Sequence, residues 1–135
     1  MIKIKKIDHV AIAVRNTDES LAKFQSVLGL SVGEREVVAS QKTEATLLPI
    51  GETSIELIEP KGNEGLARYL DKKGPGIHHI AIEVEGIENA LAALKAAGVR
   101  LVDQEPRLGA RGHKVAFLHP EATGGILIEL VEPSH

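Results

Sequence analysis

The chain of 135 residues contains no cysteine. This absence excludes disulfide bonds, thiolate nucleophiles, iron–sulfur clusters and cysteine-ligated zinc, so any bound metal must be held by histidine and carboxylate side chains. Aromatic residues are almost as scarce, since Phe24, Tyr69 and Phe117 are the only ones. With so few rings and a net charge of -3, the chain lacks the stacking surfaces and the excess of positive charge that nucleic-acid binding needs. We therefore expect no nucleic-acid partner.

Long apolar runs are also missing. An uninterrupted run such as Val10 to Val14 is far shorter than the roughly 18 residues of a membrane-spanning helix. The amino terminus has no signal-peptide pattern, so we expect a cytoplasmic protein without a membrane partner. Apolar residues nevertheless make up 43% of the chain and charged residues 26%, a composition that supports one packed domain.

The sequence contains an internal repeat. The segment IDHVAI at residues 7–12 recurs 70 residues later as IHHIAI at 77–82. The segment IELIEP at 55–60 recurs 73 residues later as IELVEP at 128–133. Such self-similarity indicates that both halves share one structural plan.

Each half is predicted to fold as βαβββ. The strand around His9 precedes a helix that opens at Asn16 with a capping-box pattern and ends at Gly29. The strand around His79 precedes a helix that starts near Ile87. Three short strands are then expected in each half, at residues 34–39, 43–49 and 53–59 and at residues 100–104, 113–119 and 126–132.

We expect a single domain, residues 1–135, of the α+β class. It comprises a first βαβββ module at 1–60, a linker at 61–76 with a short helix-like piece, and a second βαβββ module at 77–135. Modules of about 65 residues are only marginally stable alone, so the two should bury their sheets against each other or side by side.

Histidine and glutamate recur inside the predicted strands. His9 and His79 share a strand face with small residues, whereas Glu56 and Glu129 lie between apolar neighbours. A buried carboxylate is disfavoured unless it is neutralised, paired or bound to a cation. One histidine and one glutamate from each half make a His2Glu2 set suited to a divalent metal. Inherited packing, or an ion pair between the halves, would explain the same pattern.

Features that break the repeat are candidates for a specific reaction. Matching Pro49 with Pro120 pairs Glu44 with Val115, so Glu44 is a carboxylate without a counterpart in the second half. A solvated strand charge is an equal alternative for it. The glycine-rich, basic segment 106–114 suits an anionic ligand, although exposed turns share that composition.

Together these motifs resemble the vicinal oxygen chelate superfamily and, within it, the methylmalonyl-CoA epimerases. The resemblance rests on IDHVA at 7–11, GIHHIA at 76–81, PRLG at 106–109, FLHP at 117–120 and GILIEL at 125–130. It implies that the tandem βαβββ modules form a cupped mixed sheet around a metal site. It also implies an isomerase that interconverts (2R)- and (2S)-methylmalonyl-CoA by proton transfer.

The resemblance further implies roles for individual residues. His9, Glu56, His79 and Glu129 correspond to the metal ligands, with Glu56 standing where some members have glutamine. Glu44 and Glu129 correspond to the catalytic acid/base groups. The implied cofactor is a divalent ion, Co2+ before Mn2+, Ni2+ or Zn2+, the implied substrate is a CoA thioester, and the implied assembly is a homodimer. A glyoxalase-I-like lyase and a non-catalytic small-molecule binding protein of the same fold are the alternatives.

Overall fold

The computed structural model describes residues 2–134 and divides them into two compact units. The first unit is His9–His78, and the second combines the residues before His9 with those from His79 onward. The terminal His135, to which the sequence assigns no function, lies outside the described residues. None of the described helices is long and apolar enough to cross a membrane.

The first unit has the predicted order of strands and helices. In chain order its elements are the part of β1 (Lys3–Ala13) from His9 onward, α1 (Thr17–Leu28), β2 (Arg35–Val38), β3 (Thr43–Ile50), β4 (Thr53–Pro60) and α2 (Glu64–Lys73). The strand order is β2-β3-β4-β1. Neighbouring strands are antiparallel except β4 and β1, which run parallel.

The second unit repeats this arrangement. Its elements are the part of β5 (Gly76–Glu85) from His79 onward, α3 (Ile87–Ala96), β6 (Arg107–Leu108), β7 (Lys114–Phe117) and β8 (Ile128–Glu132). The strand order is β5-β8-β7-β6, with β5 and β8 parallel and the other pairs antiparallel. The α+β class, with two βαβββ modules and mixed strand pairing, is thereby confirmed.

The prediction of a strand at residues 100–104 is wrong. Leu101 forms an isolated bridge to Leu118, and regular pairing on this side of β7 is confined to β6. The cause is Asp103, whose carboxylate accepts the backbone N–H of Phe117 at 2.8 Å. A side chain therefore occupies the place of a ladder carbonyl, and the strand cannot continue there.

Helix α1 begins and ends where the sequence predicts. The Asn16 side chain accepts the N–H of Glu19 at 2.9 Å, and Gly29 ends the helix with a φ of 66°. Positive φ favours glycine at this position. The helix packs on the sheet face opposite to His9, in a cluster that contains Val14, Leu21, Phe24, Leu48 and Leu57.

Helix α2 occupies most of the segment expected to be a linker, so the helical piece predicted within it is present and longer than predicted. Leu66 and Leu70 are buried against Ala11, Ala13 and Ile58. The small residues of β1 accommodate the α2 leucines at this end of the strand.

Two glutamates at equivalent repeat positions anchor the beginnings of helices. The Glu59 carboxylate accepts hydrogen bonds from the N–H and the hydroxyl of Thr17, both at 2.8 Å. The Glu132 carboxylate accepts the N–H groups of Gly86 at 2.8 Å and Ile87 at 3.2 Å. A negative charge at a helix N-terminus is favourable because the unpaired N–H groups point towards it. These glutamates therefore tie the last strand of each unit to its helix.

Candidate functional site

His9 and Glu56 form a buried pair in the first unit. Strands β1 and β4 run parallel with Ala11 beside Glu56, which places His9 and Glu56 on the same sheet face. His9 Nε2 lies 3.6 Å from Glu56 Oε1, and the two side chains are 5% and 8% exposed. The structure thus brings together the histidine and the glutamate that the first half of the repeat singled out.

His79 and Glu129 form the equivalent pair in the second unit. Strands β5 and β8 run parallel with Ala81 beside Glu129, as Ala11 lies beside Glu56 in the first unit. His79 Nε2 lies 3.2 Å from Glu129 Oε1, and both side chains are 6% exposed. The predicted burial of both glutamates is confirmed.

The donor chemistry of these pairs fits a divalent cation. Imidazole nitrogen and carboxylate oxygen are ligands that Co2+, Mn2+, Ni2+ and Zn2+ all accept. His9, His79 and Glu129 are potential metal ligands and are all buried, as is Glu56. The buried carboxylate of each pair favours a bound cation, because low-dielectric surroundings penalise an uncompensated charge.

Phe117 adds an aromatic contact to His79. The two ring centroids are 5.0 Å apart and the ring planes meet at 87°. Phe117 also lies beside Glu129 in the β7–β8 register. The guanidinium of Arg107 lies 5.7 Å from the Phe117 ring centroid, and Arg107 Nε lies 3.4 Å from Asp103 Oδ1. The sequence pattern gives no direct sign of Phe117, since only the strand register reveals that it faces Glu129.

Glu44 does not join His9 and Glu56. In the β3–β4 pairing Glu44 lies opposite Glu59, whereas Leu47 lies opposite Glu56. Residues an odd number of positions apart on a strand point to opposite faces. Glu44 therefore faces away from Glu56 and towards the side covered by helix α1.

On that side Glu44 takes part in an ion-pair chain to the helix. Arg35 Nη2 lies 3.2 Å from Glu44 Oε1, and Arg35 Nη1 lies 2.7 Å from Asp18 Oδ1. Hydrogen bonds to Glu44 and then Asp18 raise the pKa of the Arg35 guanidinium above its usual value. The Glu44 carboxylate thus links the sheet to α1 through Arg35, and its catalytic role stays a prediction.

The strand registers give Glu44 a different counterpart from the one that the matched prolines predict. The registers put Leu47 and Phe117 at equivalent positions, which are 70 residues apart, whereas the matched prolines give 71. Glu44 then corresponds to Lys114, which lies 2.7 Å from Glu88 of helix α3. A shift of one residue exchanges the two faces of a strand.

The basic segment 106–114 is held by carboxylates of its own unit. Arg107 pairs with Asp103, and Arg111 Nη2 lies 3.7 Å from Asp8 Oδ2. Since both arginines already face carboxylates of the protein, less positive charge is available to an anionic ligand there.

The chain matches the family model described as the Glyoxalase/Bleomycin resistance protein/Dioxygenase superfamily over residues 8–117, and it belongs to that superfamily. Its relatives within the superfamily include methylmalonyl-CoA epimerases. The mitochondrial methylmalonyl-CoA epimerase of Dictyostelium discoideum is 39% identical over 97% of this chain and 80% of its own length. The ethylmalonyl-CoA/methylmalonyl-CoA epimerase of Cereibacter sphaeroides is 38% identical over 94% of this chain and 97% of its own length.

A solved structure gives the same result. A substituted methylmalonyl-CoA epimerase of Streptomyces coelicolor, in complex with 2-nitronate-propionyl-CoA, matches with a TM-score of 0.94 and 31% identity. The match covers 98% of this chain and 100% of that chain. The resemblance drawn from the sequence motifs is thus confirmed.

Proposed function

We propose that this protein is a divalent-metal-dependent epimerase that interconverts (2R)- and (2S)-methylmalonyl-CoA. The observation that carries the proposal is the recurrence of a buried histidine–glutamate pair at equivalent positions of the two units. Support for the substrate comes from relatives named as methylmalonyl-CoA epimerases. The side chains that would hold the ion are those of His9, Glu56, His79 and Glu129.

The family resemblance favours Co2+ in this proposal, and the donor set accepts Mn2+, Ni2+ and Zn2+ as well. When bound, the ion supplies Lewis-acid chemistry that stabilises the negative charge developing next to the thioester carbonyl. Glu56 contributes a second carboxylate to the set. That extra negative charge strengthens cation binding and lowers the residual positive charge offered to the substrate.

Epimerisation removes the proton at C2 of the acyl group and returns a proton to the opposite side, so it requires two proton-transfer groups. Glu129 is the first, because it is buried beside His79. Glu56 is the second in place of Glu44, because Glu56 lies on the face of His9 whereas Glu44 points to helix α1. A carboxylate has two oxygens, so one can contact the ion while the other exchanges a proton.

The proposal includes a CoA thioester as substrate, a homodimer as the assembled form, a cytoplasmic location and a role in propionate metabolism. The 2-nitronate-propionyl-CoA bound to the Streptomyces coelicolor relative supports the first of these. The homodimer and the role in propionate metabolism rest on the family resemblance, and the cytoplasmic location repeats the expectation from the sequence.

The direct test is to incubate the Co2+-loaded protein with pure (2R)-methylmalonyl-CoA in deuterium oxide and to follow inversion and label uptake at C2. We expect formation of the (2S) isomer, and we expect His9→Ala and His79→Ala each to lower the rate by about 100-fold or more. His113→Ala is the matched control, since His113 lies outside the two buried pairs and contacts Ser134. Turnover of the glutathione hemithioacetal without inversion would identify a lyase, and binding without conversion would identify a binding protein. Either result would overturn the proposal.

A further inference from the structure

We propose that Phe117 is a positioning residue that fixes the ring of His79 for metal binding, and that Arg107 in turn fixes Phe117. The inference rests on the proposed function, because it concerns the ion expected at His79. Every residue involved belongs to the second unit.

The first step is the contact between the two rings. Phe117 and His79 meet nearly at right angles, with 5.0 Å between ring centroids, which is a favourable edge-to-face geometry. Rotation of an imidazole about its last side-chain bond is only weakly restricted by the bond itself, so packing must set the ring orientation. Phe117 also lies beside Glu129, the carboxylate that His79 Nε2 faces at 3.2 Å. Phe117 lies on the strand that pairs with the strand of Glu129. Its ring therefore contacts the His79 imidazole and hinders rotation of the imidazole away from Glu129.

The second step is the support of Phe117 itself. The Arg107 guanidinium lies 5.7 Å from the Phe117 ring centroid, within the range of a cation–π contact. Asp103 holds both partners, because its Oδ1 lies 3.4 Å from Arg107 Nε and its Oδ2 accepts the N–H of Phe117 at 2.8 Å. Where the regular strand pairing is interrupted, Asp103 therefore supplies the carboxylate that aligns the Arg107 guanidinium with the Phe117 ring.

The third step is the difference between the two units. Leu47 occupies the position beside Glu56 that Phe117 occupies beside Glu129. A leucine offers no ring to align an imidazole, and the distance between histidine nitrogen and glutamate oxygen is 3.6 Å in the first unit against 3.2 Å in the second. We assign the aromatic positioning to His79 alone.

The test measures Co2+ affinity of the metal-free protein by calorimetric titration. Loss of an outer contact to a metal ligand weakens metal binding by about 10–100-fold, and we expect about tenfold for Phe117→Leu. Arg107→Met should weaken binding by about two- to threefold, because it acts through Phe117. Phe117→Tyr keeps the aromatic ring, so this variant should bind Co2+ with the affinity of the unaltered protein. Phe24→Leu is the matched control, since it makes the same change at a half-buried phenylalanine on the α1 side of the first unit.

The outcomes separate positioning from simple packing. An unchanged Co2+ affinity in folded Phe117→Leu would overturn the inference and leave the proposed function standing. Equal weakening by Phe24→Leu, or an affinity of Phe117→Tyr as low as that of Phe117→Leu, would show a general loss of stability and would also overturn it. If the unaltered protein binds no Co2+, both the inference and the proposed metal dependence fail.

Discussion

Glu56 and Glu59, three residues apart on strand β4, face opposite sides of the sheet. Glu56 lies 3.6 Å from His9 on one side, whereas Glu59 accepts hydrogen bonds from Thr17 at the start of helix α1 on the other. The second copy of the motif shows the same division. Each copy of the repeated IELxEP segment therefore supplies one carboxylate to the candidate site and one that anchors a helix.

The anchoring role of Glu59 predicts a pH dependence of stability. Burial raises the pKa of Glu59, but the ion pair with Lys61 and the hydrogen bonds from Thr17 outweigh it, so the pKa is lowered from 4.5. A carboxyl group with a lowered pKa in the folded state stabilises the fold above its unfolded-state pKa, and this contribution disappears as the pH falls through the folded-state pKa. Glu59→Gln should lower the free energy of unfolding by about 1 kcal/mol at neutral pH and by less in acid.

Urea unfolding of the metal-free protein, from neutral pH down to about pH 3, checks this difference. Glu34→Gln, which changes an exposed carboxylate, serves as the control. A Glu59→Gln effect that stays constant over the whole range would contradict the ionic part of the argument.

The placement of Glu44 predicts that its removal leaves epimerisation nearly intact. Loss of a general acid or base lowers a rate by about 10²–10⁴, whereas Glu44→Gln should lower it by less than about threefold. Glu129→Gln should show the large loss. Initial rates with both enantiomers, together with thermal melting of each variant, provide the measurement. A hundredfold lower epimerisation rate in Glu44→Gln, with an unchanged melting temperature, would show that Glu44 takes part in the reaction.

Removal of the ion should lower thermal stability. Burial disfavours a charged carboxylate without a cation, and a ligand that binds only the folded state stabilises it by about 2.7 kcal/mol at 100 times its Kd. Chelator-treated protein should therefore melt roughly 5–10 °C below the Co2+-loaded form. Calorimetric scans of the two forms test this, with protein reloaded with Co2+ as the control. Coincident melting curves would argue against metal binding at these glutamates.

The packing of helix α2 predicts that it is part of the folded core. Leu70 is 3% exposed and packs against the small residues of β1. Leu70→Ala should lower the free energy of unfolding by about 2–4 kcal/mol, because it leaves a cavity. Leu28→Ala, at a side chain that is 61% exposed, should change it by less than about 0.5 kcal/mol. Equal effects in urea unfolding would mean that α2 behaves as a loosely attached connection.

Much of this architecture could be predicted from the repeat. His9 and Glu56 recur as His79 and Glu129 within predicted strands, so the four residues could be singled out as one set of candidate ligands. The start of α1 at Asn16 follows from local capping chemistry. Short-range periodicity and capping carry such information without reference to the rest of the fold.

The face of Glu44 could not be predicted in the same way, because it depends on the register between two strands. Strands β3 and β4 are joined by a tight turn, in which Gly51 has a φ of 59°, whereas β7 and β8 are joined by residues 118–127. Matching residues across connections of such different length moves the alignment by one position. The contact of Phe117 with His79 could not be predicted from the sequence for the same reason, since it also depends on the register between strands.

The ion pairs that link the sheet to its helix begin at an acidic strand residue in the first unit and at a basic strand residue in the second. Glu44 reaches Asp18 through Arg35, whereas Lys114 meets Glu88 directly. On this side of the sheet the two units carry an acid and a base at equivalent positions, whereas the histidine–glutamate pairs on the other side are the same in both. The helix-facing side is therefore where charge can be redesigned, for solubility or isoelectric point, without touching the residues assigned to chemistry.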